Sequence, residues 1–284
     1  MPKKVSEMNR RSFIKGGTLA LAGFAASASP VKADPAQQSL QVWSCGGLAE
    51  AFIPANEAFE KKTGKHIAYT GAFAAALGKS LLGSAETEVF APRVLALAKK
   101  LKAQGKMLSF QPLCFTKYVL ITPAGNPKNI KSIEDLKRPD VVCQLSPESS
   151  PPGGKAVMGV LKKSGVIKEA KQNAGMLGSC VQHDVAAVAS GQYDASVVEQ
   201  RITRLPRYLN KFEVIDIPEE FFPAAPIPFS IGVMKFAKDK DLAHDFIDFV
   251  CGEIGQACFE NAGFIHARSE EGQRLVKKYG VYDV

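Results

Sequence analysis

The chain has 284 residues, 46% of them hydrophobic and 23% charged, with a formal net charge of +8. The apolar content is that of an ordinary globular protein, and no internal repeat or low-complexity segment interrupts it. Residues 1–33 hold Lys3, Lys4, Arg10, Arg11, Lys15 and Lys32 against Glu7; without them 30 basic residues face 27 acidic ones, a balance of +3, so the basic excess is no argument for nucleic acid, and no basic–aromatic stripe supplies one.

The N-terminus explains that excess. Residues 8–15 read MNRRSFIK, and the mildly apolar run GGTLALAGFAASASP follows. A basic region, an apolar region and small-residue cleavage positions make a secretory signal. Paired arginines before Ser-Phe-Ile-Lys resemble the twin-arginine export signal. The run is too short and glycine-rich for a bilayer, which needs about 20 apolar residues. Cleavage is expected after Ala33, with Ala28 as the other candidate. The competing reading is a basic arm followed by a buried helix. The mature chain is expected to be soluble and periplasmic, and its roughly 250 residues suit two lobes.

From residue 40 strands and helices alternate. LQVWSC reads as a strand, and GGLAEAFIPANEAFEKKTG as a helix with Leu48, Phe52 and Phe59 at near-helical spacing. KHIAYTGA is a second strand, FAAALGKSLLGS a helix, TEVFAP a third strand, and RVLALAKKLKAQGK a helix closed by Gly105. This βαβαβα order predicts a parallel sheet with covering helices. KYVLITPA then reads as a strand, SIEDL as a short helix with Ser132 as its N-cap, and DVVCQL as a strand. The loop SPESSPPGG feeds the helix KAVMGVLKKSG; MLGSC precedes the helix VQHDVAAVASG and the strand YDASVVEQ. FEVIDIPE and PIPFSIGVMK are further strands, and DLAHDFIDFVCG and EIGQACFENAGF read as closing helices.

The six cysteines (45, 114, 143, 180, 251, 258) show no Cys-x-x-Cys spacing. Cys143, Cys251 and Cys258 read as buried packing, and Cys114 as the opening of a crossover strand. Lys117, Glu148 and Arg201 read as solvated charges at a rim. No nucleophile elbow, phosphate loop or paired-His metal motif appears, so no enzyme is expected. Cys45 beside His183 as nucleophile and base would need residues from opposite lobes.

Four stretches are similar to the periplasmic molybdate-binding proteins of ABC importers: YVLITPAGNPKNIKSIEDL (118–136), ASGQYDASVV (189–198), KDLAHDFIDFV (240–250) and EIGQACFENAGF (253–264). They occur in the family's order over nearly the whole mature chain. The resemblance implies an α/β, two-lobe class II periplasmic binding fold with two crossover hinge strands. Lobe 1 would span 34–115 with 230–284, and lobe 2 116–229. It also implies a monomer that captures a small oxyanion of the molybdate or tungstate kind. Its partner would be a membrane permease or a periplasmic sensor domain.

Independently of that family, ligands of open α/β sheets sit beyond the carboxyl ends of strands, and helix N-termini there suit an anion. Matched residue by residue, the family's pocket departs in this chain. Gly47, in VWSCGGL, stands where the family has an anion-binding serine, beside Gly46 and with Cys45 two residues earlier. Ala75 and Ala76 stand near the second serine. Each hydroxyl lost to a charged ligand matters, at about 1.5–3 kcal/mol. The expected backbone donors are Gly47, Ala76, Gly153 and Val181.

Glu199 replaces the family's tyrosine. A carboxylate facing an oxyanion is repulsive. It must turn away, be protonated, or mean that the ligand is not a plain oxyanion. Cys45, Cys180, His183 and Glu199 alternatively make a transition-metal set for a metal ion or a thiophilic oxyanion. A thiolate at a helix start is expected to have a lowered pKa. His183 reads equally as an exposed helix residue, and Cys45 as packing or as one half of a disulfide with Cys180, which requires Cα atoms within about 7 Å. No cofactor is read beyond such a bound ion.

Overall fold

The structure is a computed structural model that describes residues 39–149, 153–224 and 227–283. The segment read as an export signal and both candidate cleavage positions lie outside the described residues. None of the described helices is long and apolar enough to cross a membrane.

In chain order, β1 (Ser39–Cys45) leads through a 3-10 turn at Gly46–Leu48 into α1 (Ala49–Thr63). Phe52, Ala55 and Phe59 of α1 share its buried face, and the helix ends where Gly64 turns left-handed (φ 69°) and donates its N–H to Glu60 O at 2.8 Å. Then follow β2 (His66–Ala72), α2 (Ala74–Leu82), β3 (Val89–Ala91), α3 (Leu95–Ala103), β4 (Met107–Phe115) and β5 (Tyr118–Pro123). A short 3-10 segment at Ile133–Lys137 starts at Ser132, whose N–H donates to Asp135 Oδ2 at 3.2 Å. Next come β6 (Cys143–Leu145), α4 (Gly153–Lys163), α5 (Ile167–Gln172), β7 (Ala174–Leu177), α6 (Val181–Ala189), β8 (Ser196–Glu199) and β9 (Phe212–Asp216). β10 (Pro228–Met234), α7 (Lys240–Val250), α8 (Glu253–Asn261), β11 (Ile265–His266) and α9 (Glu270–Tyr279) complete the chain.

Among the described residues the first sheet runs β11-β4-β10-β3-β1-β2. β1 is parallel to β2 and β3, while β10 runs antiparallel to β3 and β4. The second group is β8-β5-β9, all antiparallel, with the parallel pair β6-β7 joined to it by a bridge between Cys143 and Ala195. The sheets make two lobes. The chain passes between them at Thr116–Lys117 and again after β9, and Thr116 N–H donates to Ile227 O at 3.1 Å where the two passages meet.

Both sheets are covered on each face. Phe52, Phe59, Phe246 and Phe259 pack on one side of the first sheet, and Leu81, Phe90 and Leu101 on the other. In the second, Leu120, Val160 and Leu161 lie on one side and Ile121, Val185 and Val188 on the other. Each such side chain contributes about 1.5–3 kcal/mol on burial. Leu275 and Val276 of α9 join the second sheet's core, although the strand before that helix belongs to the first.

Three elements depart from the sequence reading. β4 begins seven residues before Cys114, which sits buried near its end rather than opening a strand. α5 and α9 are additional helices. Cys258 is only partly buried and its thiol donates to Ile254 O at 3.5 Å, so it is not a core residue.

Candidate functional site

The carboxyl ends of β1, β2, β3 and β8 converge on one cleft of about 700 Å³. From the first sheet come Cys45 and Gly46, the Ala72–Ala74 turn into α2, and Arg93 just past β3. From the second come Tyr118, Ser149, Gly153 at the start of α4, Cys180 and Val181 at the start of α6, and Glu199 and Arg201.

The start of α4 lies hard against the preceding loop. A Cβ on Gly154 would have no room against the carbonyls of Ser146 and Pro147, so glycine is required there. α6 is anchored by Asp184, a buried carboxylate that accepts from Ser146 Oγ at 2.8 Å and from Gln144 Nε2 at 3.1 Å. Burial raises the Asp184 pKa, while the two hydrogen bonds pull it down. Ser146 Oγ in turn accepts the Cys180 N–H at 3.2 Å, which fixes the first turn of α6 at the cleft.

Glu199 is the centre of the charge arrangement. It ends β8, directly opposite Tyr118 of β5, and its side chain is 8% exposed. Its Oε1 accepts from Arg93 Nη2, and its Oε2 from Arg201 Nε at 2.7 Å. Arg201 Nη1 also lies 3.6 Å from Glu50 Oε1 in α1. Burial alone would push the Glu199 carboxyl up; Arg93 and then Arg201 override it and hold the pKa at about 2. Glu199 is therefore ionised and paired. It neither turns away nor becomes protonated, and the repulsion expected of a bare carboxylate is offset by two guanidinium groups.

Arg93 is 5% exposed, and its Nη2 also donates to Tyr118 Oη at 3.4 Å. Its Nε has no hydrogen-bond partner among the described residues, and neither does the buried Ser149 Oγ. Buried polar atoms of this kind are costly unless a partner arrives. The two arginines are thus balanced by Glu199 and Glu50, and the cleft lining keeps two unpaired polar atoms and three helix starts.

The residues expected from sequence divide. Cys45, Gly46, Gly153, Cys180, Val181 and Glu199 line the cleft. Of Ala74 to Ala76, the stretch matched to the second serine, Ala74 is among the lining residues, whereas Ala75 and Ala76 are exposed on α2 and are not. Gly47 lies beneath Arg201: a Cβ on it would come 3.3 Å from Arg201 Cζ. The guanidinium takes the space that a serine side chain would have used. Arg201, read as a solvated rim charge, is half-buried and paired, its side chain 17% exposed.

His183 is exposed on α6 and outside the lining. Among the described residues no three His, Cys, Asp or Glu side chains come together to hold a metal, so Cys45, Cys180, His183 and Glu199 do not form the expected set. Both Glu199 oxygens are already held by arginines. Cys45 and Cys180 are free thiols rather than a disulfide. Burial raises the Cys45 pKa against the opposing pull of Arg93, the reverse of the depression expected at a helix start. Arg93, Tyr118 and Ser149 were not expected at all. The available signal for Arg93 was its position immediately after the third strand of a parallel βαβ series.

A family model described as bacterial extracellular solute-binding protein matches residues 40–265. The chain belongs to that family. The molybdate-binding protein ModA of Mycobacterium tuberculosis H37Rv is 26% identical over 265 residues, covering 89% of this chain and 94% of that protein. Among solved structures, the substrate-binding domain assigned to a molybdenum ABC transporter of Clostridium difficile superposes with a TM-score of 0.71 at 22% identity, covering 80% of this chain and 98% of the other. The periplasmic molybdate-binding protein of Azotobacter vinelandii gives 0.65 at 20% identity, with coverages of 80% and 98%. These likenesses establish the two-lobe class II periplasmic binding fold for this member of the family.

Proposed function

We propose that this solute-binding protein serves an ABC importer and captures a small oxyanion between its two lobes. The observation that supports the reading best is the Arg93–Glu199–Arg201 cluster around a buried carboxylate at the meeting point of the strand ends, with unpaired donors beside it. Helix starts add partial positive charge to the same place. The names of the relatives supply the inorganic candidate, a molybdate- or tungstate-type ion.

On this reading the lobes divide near residues 115/116 and 229/230 and close about the two crossovers. The cleft captures and releases its ligand without a chemical step. A membrane permease receives the ligand. Residues 8–15 direct export by the twin-arginine route, which puts the mature chain in the periplasm. The soft-ligand alternative is left with Cys45 and Cys180 alone, because Glu199 is occupied.

Calorimetry and thermal shift on the purified protein test the reading, using molybdate, tungstate and sulfate beside zinc and copper. Binding of at least one anion with a rise in Tm is expected. A response to the metals alone would overturn it.

A further inference from the structure

We propose that the cleft is built for a small organic anion, an acidic head carried on an apolar body. The inference rests on the anion-capture reading of the same site and names its ligand class.

The size of the cleft is the first observation. About 700 Å³ lies within the range of about 300–1,000 Å³ typical of sites for small organic molecules. A four-oxygen ion fills only a small part of it.

The walls are the second. Val157, Val181, Val197 and Ile202 line the cleft, and so does Phe73, which is 69% exposed at the start of α2. An aromatic ring exposed inside a cleft presents surface whose burial is favourable, and a hydrated inorganic ion cannot supply that burial. An apolar ligand body can.

The polar side is the third. Arg93 and Arg201 face two carboxylates: Glu199, which uses Nη2 of the first and Nε of the second, and Glu50, 3.6 Å from Arg201 Nη1. Arg93 Nε and Ser149 Oγ remain unpaired and buried. With no net charge in the cluster, the unpaired Arg93 Nε and Ser149 Oγ and the adjoining helix starts match a single monoanionic head. A compact dianion would meet a cluster with no net positive charge to balance its second charge.

The test is calorimetric titration of the purified protein with two matched series, methanesulfonate against benzenesulfonate and acetate against phenylacetate, beside molybdate, tungstate and sulfate. Each phenyl member is expected to bind at least tenfold more tightly than its methyl partner. Phe73→Ala should remove most of that gain and leave the methyl members unchanged; Phe73 is exposed, so its loss does not threaten the fold. Molybdate or tungstate binding more tightly than every organic anion, or no gain from methyl to phenyl, would overturn the organic class and leave anion capture standing. If no anion of either kind binds, anion capture itself fails and this inference with it.

Discussion

Arg93 and Glu199 form a buried ion pair between the two sheets of the molecule. Arg93 follows β3 of the first sheet, and Glu199 ends β8 of the second, 106 residues later. Arg201 holds the other oxygen of the same carboxylate and reaches back to Glu50 of α1. A chain of alternating charge therefore crosses the cleft from Arg93 to Glu50. On the proposed reading it ties ligand capture and lobe contact to the same side chains.

Glu199→Gln leaves the buried Arg93 and the half-buried Arg201 facing a neutral amide. Removing one partner of a buried pair costs about 3–5 kcal/mol. Urea unfolding should show that loss, and sulfate in the buffer should recover more stability for the variant than for the wild type. Equal anion effects on both proteins would mean that the two arginines are not open to an anion.

The pH dependence has a definite sign. The Glu199 pKa is lowered from the ordinary 4.5 to about 2, so its contribution is complete above 4.5 and is lost as the pH falls toward 2. Unfolding midpoints should decline across that window. In Arg93→Met the carboxyl loses its main stabilising neighbour, so the variant should be weaker at neutral pH and less sensitive across the window. An unchanged slope in the variant would show that Arg93 does not set this titration.

The cysteines should separate by accessibility. Cys180 is exposed, whereas Cys45 is 6% exposed and burial has raised its pKa. A disulfide reagent such as DTNB should modify Cys180 first in the native protein and Cys45 only after unfolding. A bound anion should slow the reaction at Cys180. Equal rates at the two sites would contradict the burial of Cys45.

Most of the fold was legible where periodicity was local. The βαβαβα series before β4 is readable because each turn of α1 and each alternation of β1 repeats within a few residues. β4 was not. Pro112 lies inside it, and a proline argues against a central strand. The ladder absorbs it at a register shift opposite Phe229 and Ser230. α9 carried its signals, with Ser269 accepting from Gly272 N–H at 3.0 Å and Gly280 left-handed at φ 61°, but they were not assembled into a helix. In the site, strand ends and helix starts could be located from the pattern. The pairing of Glu199 could not, because it joins residues far apart in the chain and no spacing rule connects them.

Gly47→Ser tests whether Arg201 has taken over the space of the lost hydroxyl. The new Cβ would stand 3.3 Å from Arg201 Cζ, so the guanidinium must shift away from it. Crowding of a packed site costs about 1–3 kcal/mol. Lower stability together with weaker anion binding is expected in unfolding and titration experiments. Tighter binding without loss of stability would show that the serine position is still open.

The most direct measurement is titration of the wild type and Arg201→Gln with whichever anion raises the wild-type Tm most. Calorimetry gives the affinity, and the fluorescence of Trp43, the single tryptophan and two residues from Cys45, gives an independent readout. Losing a hydrogen bond to a charged group is worth about 1.5–3 kcal/mol, so affinity should fall roughly ten- to hundredfold. Equal affinities in the two proteins would contradict anion capture through the Arg93–Glu199–Arg201 cluster.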